Sequence, residues 1–181
     1  IWKEEKTTEI KQYLNDPERV VLTGDEMILT TKTTTQKMWL FINSTFKLEV
    51  SNKGGKRCIY GFLNVKTGRE HAFKTDYTNS LTTCSVLEEL VKIYPDKKIT
   101  IIWDNASWHK SITVRAFLEK NPCKFHLIAL PPYAPELNPQ EHVWKAGRIR
   151  VTHNKFIENI DAASDEFVEY LNSTKFGYKF L

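Results

Sequence analysis

Three carboxylates stand out in this sequence because each lies where it can be directed to a common point. Asp104 follows residues 99–103, an apolar run typical of a buried strand. Glu141 begins a helix after a turn-rich loop, and Asp25 lies within the β-branched run Arg19–Thr30. Carboxylate oxygens are hard ligands of Mg²⁺, which retains water positions for a substrate phosphate. The pattern therefore predicts metal-assisted phosphodiester chemistry.

The first acid is one of an adjacent pair, Asp25 and Glu26. Because side chains alternate along a strand, one carboxylate lies on each face. A polar group in mid-strand is costly to bury without a partner, so one of the two is expected to join Asp104. The alternation alone leaves open which of the two it is.

Each of the later acids also has an ordinary structural explanation. An Asp-Asn pair after a strand, as at Asp104, is a common turn and helix-start signal. Asn138, Pro139 and Glu141 fit the N-cap, N1 and N3 positions of a capping box. Capping does not explain residues 131–135, whose three prolines restrict the approach loop. A rigid loop can direct a first-turn Glu outward to a metal while that Glu also caps the helix.

Two segments and a tripeptide resemble the catalytic domain of DDE transposases, most closely the mariner-like elements and their bacterial insertion-sequence relatives. They are WDNASWHKS at residues 103–111, LPPYAPELNPQEHVW at residues 130–144 and GDE at residues 24–26. The second segment is the most specific, and the resemblance covers most of the chain. It implies that Asp25, Asp104 and Glu141 are the catalytic and metal-binding residues, with Glu26 as the alternative first ligand.

The resemblance implies a cut-and-paste DNA transposase, which hydrolyses DNA at transposon ends and transfers the freed 3′-hydroxyl to target DNA. The three acids would hold two Mg²⁺ ions about 3.5–4 Å apart, with Mn²⁺ as a substitute. The implied partners are transposon-end DNA, target DNA and a second copy of the chain in a homodimer. The implied location is intracellular and DNA-associated, in a bacterial cytoplasm or nucleoid or in a eukaryotic nucleus.

Two other functions remain open. One is a different nuclease of the same fold, acting on RNA–DNA hybrids or junction DNA. The other is a non-catalytic DNA-binding or assembly protein derived from a transposase. The residue 130–144 segment argues against the first, and the intact acid trio argues against the second.

Candidate DNA contacts lie next to the acids. Lys145 and Arg148 share a helix face with Glu141, which fits either a Glu–Lys surface pair or a basic stripe that holds phosphates. The candidate contacts are Trp108, His109, Lys145, Arg148 and Arg150. Trp108 is the candidate for touching bases. His109 fits either a surface histidine or a residue that positions the scissile phosphate.

Bulk composition is that of a globular domain. The chain has 181 residues, 41% of them apolar and 27% charged, with a net charge of +4 and a pI near 8.9. This charge permits nucleic-acid binding without demonstrating it. There is no apolar run of membrane-spanning length. Three widely spaced cysteines predict packed thiols rather than disulfides or a zinc site.

The order of elements predicts an α/β fold, with a mixed sheet, antiparallel first strands and helices on both faces. This matches the ribonuclease H-like fold that the resemblance implies. A lead-in helix or linker is expected over residues 1–18 and the catalytic domain over residues 19–181. The helix-turn-helix region that relatives carry upstream is expected to be absent. Residues 37–46 read as a second strand, residues 66–69 as a hairpin turn and residues 79–94 as a capped helix.

Overall fold

The structure is a computed structural model that describes residues 2–51, 54–132 and 137–178. The chain begins with a helix, a strand and a two-stranded hairpin, after which helices and strands alternate until the last two helices. The strands are β1 (Arg19–Thr30), β2 (Lys56–Asn64), β3 (Glu70–Thr75), β4 (Lys98–Trp103) and β5 (Phe125–Ala129). The helices are α1 (Trp2–Asn15), α2 (Ser80–Ile93), α3 (Ile112–Lys120), α4 (Gln140–Val151) and α5 (Ile160–Ser173), with a 3₁₀ turn at Ser107–Lys110.

The strands form one sheet in the order β3-β2-β1-β4-β5, so that β1 is central. β1 is antiparallel to β2 and parallel to β4, which confirms the predicted mixed sheet. Thr23 pairs with Ile102 across the parallel contact. Asp25 and Asp104 each lie two residues further along, and the pairing therefore brings them to the same end of neighbouring strands.

The sheet is covered on both faces, as the largely apolar buried stretches of its strands require. α2 and α3 pack on one face, where Leu22, Phe62, Leu87 and Ile101 form a buried cluster. α4 and α5 pack on the other face, around Ile59, Trp144 and Phe167. α1 adds Ile10 to a third cluster with Val21 and Ile102, so this lead-in helix is part of the packed domain.

Several local signals form as predicted. Asn79 caps α2 through a hydrogen bond from Thr82 N. The hairpin turn between β2 and β3 has Gly68 at a φ of 72°, a conformation that glycine adopts at little cost. The predicted helix over residues 79–94 is α2.

Residues 37–46 do not form the predicted strand. This stretch is irregular and exposed, and Trp39, Phe41 and Ile42 are 100%, 91% and 92% exposed. β1 and β2 pair directly with each other, from Leu22–Asn64 to Thr30–Lys56, so the residues between them leave the sheet. Apolar content favours a strand only where a neighbour is available to cover it.

The cysteine prediction is partly wrong. All three thiols are free, but only Cys58 is buried, while Cys84 is partly covered and Cys123 is exposed. In the described part of the chain, none of the helices has the length and apolarity needed to cross a membrane.

Contact between α4 and α5 depends on Gly147. A Cβ at Gly147 would lie 2.4 Å from Cζ of Phe167, whose ring is fully buried. We therefore expect Gly147→Ala to destabilise the domain by up to about 2 kcal/mol. Overpacking costs about 1–3 kcal/mol and outweighs the gain of about 1 kcal/mol from replacing a helical glycine. Urea unfolding measures the difference in the free energy of unfolding between this variant and the unmodified protein. Gly177→Ala is the control, because nothing lies within 4 Å of its new Cβ, and a loss there as large as at Gly147 would contradict the packing argument.

Candidate active site

Asp25 lies in the middle of β1 and faces α4. Its Oδ2 accepts a hydrogen bond of 2.9 Å from the buried indole Nε1 of Trp144. Burial raises the pKa of Asp25 to about 7, because the Trp144 hydrogen bond only partly compensates and the charges of Glu26 and Glu141 raise the pKa further. The central strand thus carries an acid that binds a proton near neutral pH in the absence of a compensating cation.

Glu26 faces the other side of the sheet. Its Oε1 lies 2.9 Å from Nε2 of His109, and its side chain is only 6% exposed. Burial raises the pKa of Glu26, although the contact with His109 opposes the shift. The two adjacent acids therefore have different partners, as strand alternation requires.

Asp104 begins the loop after β4. Its Oδ1 accepts a hydrogen bond of 3.0 Å from Ala106 N and lies 3.1 Å from Nδ1 of His109. The contact with His109 lowers the pKa of Asp104 against the opposing effect of burial. With 48% of its side chain exposed, Asp104 is ionised and reachable by a cation from solvent.

His109 is buried between the two acids, which excludes the surface histidine considered above. Its imidazole lies against Trp103, with ring centroids 3.7 Å apart. Burial opposes its charge, yet the contacts with Asp104 and Glu26 outweigh burial and raise the pKa of His109 to about 9. The result is an imidazolium that bridges Glu26 on β1 to Asp104 after β4.

Glu141 is the second residue of α4 and is exposed. Its charge raises the pKa of Asp25, so the two carboxylates lie within electrostatic range of each other. The predicted cap forms in part: α4 begins at Gln140 rather than at Pro139, and the side chain of Asn138 accepts from the first helical N–H. Asn138 accepts from Gln140 N and donates to the carbonyl of Gly24 at 3.1 Å, which ties the helix start to β1. The approach loop at residues 133–136 lies outside the described residues.

Two candidate ligand sets share Asp104. Among the residues that the structure describes, Glu26, Asp104 and His109 bring their ligand atoms within 4.8 Å of one another. Both ring nitrogens of His109 are engaged by carboxylates, and Mg²⁺ prefers oxygen ligands. The oxygen donors of Asp25, Asp104 and Glu141 suit a hard divalent cation better, and such a cation would offset the burial and the neighbouring negative charges that raise the pKa of Asp25.

The candidate DNA contacts occupy different environments. Lys145 and Arg150 are exposed on α4, and Arg148 between them is half-buried. Trp108 is half-buried in the 3₁₀ turn, with its ring edge against His109 at a centroid distance of 5.7 Å. His109 is buried, and it contacts the candidate ligand Asp104.

The bridge through His109 is the part of the site that sequence reasoning missed. Two hints lie in the sequence: alternation separates Asp25 from Glu26, and His109 follows Asp104 by five residues. Neither hint specifies which face of the sheet His109 covers. The 3₁₀ turn at Ser107–Lys110, which folds His109 back beneath Asp104, has no comparable signature in the sequence.

Comparison with known proteins identifies the class. Residues 20–163 match the family described as DDE superfamily endonuclease, and the chain belongs to that family. A 39 kDa protein of insertion element IS630 from Shigella sonnei is 28% identical over 155 residues, which are 84% of this chain and 45% of that protein. The chain thus spans about half the length of this relative.

Solved structures show the same ribonuclease H-like fold. The Mos1 mariner paired-end complex with Mn superposes with a TM-score of 0.69 at 16% identity, over 96% of this chain and 54% of that chain. The catalytic domain of Mos1 mariner transposase superposes with a TM-score of 0.60 at 14% identity, over 96% of this chain and 80% of that chain. The predicted fold class is confirmed.

The raised pKa of Asp25 has a direct consequence for stability. Its folded pKa of about 7 exceeds the ordinary 3.8, so the folded state binds more protons and stability falls as pH rises between these values. Asp25→Asn should therefore stabilise the metal-free protein at pH 8 by on the order of a few kcal/mol, and the gain should vanish near pH 4. Chemical denaturation with a chelator present, at both pH values, measures this.

Asp104→Asn is the matched control with the opposite sign. The folded pKa of Asp104 is lowered, so its carboxylate contributes stability above its unfolded pKa that is lost as pH falls through the folded pKa. Its Asn variant should be slightly destabilised at pH 8, by less than about 1 kcal/mol since the group is half-exposed. Equal effects of the two substitutions at pH 8 would refute the assignment of Asp25.

Proposed function

We propose that this chain is the catalytic domain of a DNA transposase, which cleaves DNA and transfers strands at transposon ends with divalent metal. The proposal rests on membership of the DDE endonuclease family together with one observation. That observation is the buried Asp25 on the central strand, whose pKa of about 7 reflects burial beside Glu26 and Glu141. A bound cation would strongly stabilise the charged form of an acid in this position.

In this proposal Asp25, Asp104 and Glu141 hold two Mg²⁺ ions, with Mn²⁺ as a substitute. When bound, the ions would supply charge stabilisation for the attacking and leaving oxygens of the phosphodiester. The solved Mos1 complexes include forms described as containing Mn and Mg, which supports this choice of metal.

The surrounding residues prepare these carboxylates. Trp144 donates to Oδ2 of Asp25 and so fixes the orientation of that carboxylate. Nδ1 of His109 lies 3.1 Å from Oδ1 of Asp104, and this contact lowers the pKa of Asp104 and so favours its ionised form. The exposed Glu141 approaches from α4, on a helix whose start is tied to β1 by Asn138.

DNA is the proposed substrate, and a second copy of the chain is the proposed partner. Mos1 structures are described as paired-end and strand-transfer complexes, which supports both by analogy of fold. The rival proposal, a non-catalytic assembly protein, is not favoured by any contact in the site, because Asp25, Asp104 and Glu141 are all present. The proposed location is wherever the element's DNA resides.

Asp104→Asn should abolish cleavage while folding and DNA binding persist. The substitution removes a metal-binding charge but retains shape and the hydrogen bond from Ala106 N. The assay uses DNA with inverted-repeat ends from the element's own flanks, with Mg²⁺ or Mn²⁺. We expect a rate loss of about 1000-fold or more, which is on the scale seen when one essential electrostatic contact is removed. Near wild-type cleavage by the variant would show that Asp104 is not a ligand.

DNA binding by this chain should be weak, salt-dependent and poor in sequence discrimination, because the net charge is only +4. Lys145, Arg148 and Arg150 are the contacts to test. Each lost phosphate contact should flatten the plot of log K against log salt concentration by about 0.9. Titration of the triple Ala variant against duplex DNA at several salt concentrations measures the slope.

A triple Ala variant of exposed lysines on α1, α2 and α3 is the matched control, since it removes the same charge elsewhere. It carries Lys11→Ala, Lys92→Ala and Lys120→Ala. Its slope should equal that of the unmodified protein. If both variants flatten the slope equally, the DNA does not follow α4.

A further inference from the structure

A second buried acid lies beside the site and is not among the proposed ligands. Glu70, the first residue of β3, is 1% exposed, and Gln140, the first residue of α4, is 0% exposed. Nε2 of Gln140 donates a hydrogen bond of 2.6 Å to Oε1 of Glu70. Acidic side chains are almost never buried to this degree unless they are paired. The burial of Glu70 therefore indicates that its contact with Gln140 is important to the structure.

The sheet leaves a space for this pair at Gly61. A Cβ there would lie 2.2 Å from Nε2 of Gln140, 2.3 Å from Cη2 of Trp144 and 2.5 Å from Oε1 of Glu70. Gly61 is also the cross-strand partner of Asp25. Directly opposed residues in a sheet lie on the same face, so the Glu70–Gln140 pair lies next to Asp25 beneath the start of α4.

The remaining oxygens indicate how the pair is completed. Oε2 of Glu70 and Oε1 of Gln140 are both buried and have no hydrogen-bond partner within the described ranges. Burial raises the pKa of Glu70 to about 8, against the opposing hydrogen bonds from Gln140 and the backbone N–H of Phe62. At neutral pH the carboxyl is therefore mostly protonated, and its O–H is available to donate to the amide oxygen of Gln140. An acid–amide pair with two hydrogen bonds satisfies both groups without a buried charge.

We propose that the Glu70–Gln140 pair is a positioning contact that fixes the first turn of α4 on the sheet and so determines where Glu141 stands relative to Asp25. Glu141 follows Gln140 directly, and a displacement at Gln140 moves its carboxylate as well. Metal ligands must be held within a few tenths of an ångström to be effective. The catalytic consequence rests on the function proposed above, whereas the placement of the helix does not.

The test compares two substitutions of Glu70 at pH 7. Glu70→Leu removes both hydrogen bonds, whereas Glu70→Gln retains an acceptor for Gln140 Nε2 and a donor for Gln140 Oε1. Hydrogen exchange of the backbone amides of residues 140–144 should accelerate at least tenfold in Glu70→Leu and by less than threefold in Glu70→Gln. Glu166→Gln, an exposed acid on α5, is the control and should change nothing.

The same variants are then titrated with Mn²⁺ by calorimetry and assayed for DNA cleavage. We expect Glu70→Leu to lose at least tenfold in Mn²⁺ affinity and in cleavage rate with unchanged DNA affinity, and Glu70→Gln to recover both. Should Glu70→Leu not fold, Gln140→Met replaces it, because it also removes the polar contact at nearly constant volume.

Each outcome decides a different point. Unchanged exchange in residues 140–144 of Glu70→Leu overturns the proposal, whatever the activity. Faster exchange with unchanged Mn²⁺ affinity overturns the link to Glu141. If the unmodified protein neither binds Mn²⁺ nor cleaves DNA while the exchange pattern is as expected, the transposase function fails and the placement of α4 by Glu70 stands.

Discussion

Two adjacent acids in the middle of the central strand repel each other where water screens them poorly, and the domain has to offset that cost. Asp25 and Glu26 lie in β1, which is flanked by β2 and β4 and covered by helices on both faces. Burial is the largest cause of the raised pKa of each carboxyl. Three parts of the structure contact this strand at or beside the two acids: Trp144, His109 and the start of α4.

The two faces of β1 treat their acids differently. On the α2 side, Glu26 receives a full positive charge from His109, which also reaches Asp104. On the α4 side, Asp25 receives only the neutral N–H of Trp144, and Glu141 adds a further negative charge nearby. Glu26 thus has a cationic partner within the protein, whereas Asp25 has none among the described residues. The metal role proposed for Asp25 would make use of this difference.

Local signals in the sequence are enough to predict most of the fold. The apolar run of β4, the cap at Asn79 and the glycine turn at Gly68 each depend on residues close in sequence, and each forms as predicted. Contacts between distant residues carry no such local signal. The amide nitrogen of Asn138 donates to the carbonyl of Gly24, 114 residues away, while its side-chain oxygen accepts from Gln140 N at the start of α4.

The candidate site shows the same division. The three acids could be predicted from their positions at a strand centre, a strand end and a helix start. The Glu26–His109 contact spans 83 residues, and the Glu70–Gln140 contact spans 70 residues. Neither could be predicted, because each depends on which face of the sheet a side chain occupies and on how a helix lies across that face.

The sheet order also governs when the site can exist during synthesis and folding. The acids come from β1, from the end of β4 and from α4, and the β1–β4 contact joins residues about 80 positions apart, as in Thr23 with Ile102. Such non-local strand pairing forms late, because loop-closure entropy is lost before the contacts are gained. A nascent or partly folded chain therefore carries these carboxylates apart, and the proposed metal site forms only once the β1–β4 contact and α4 are in place.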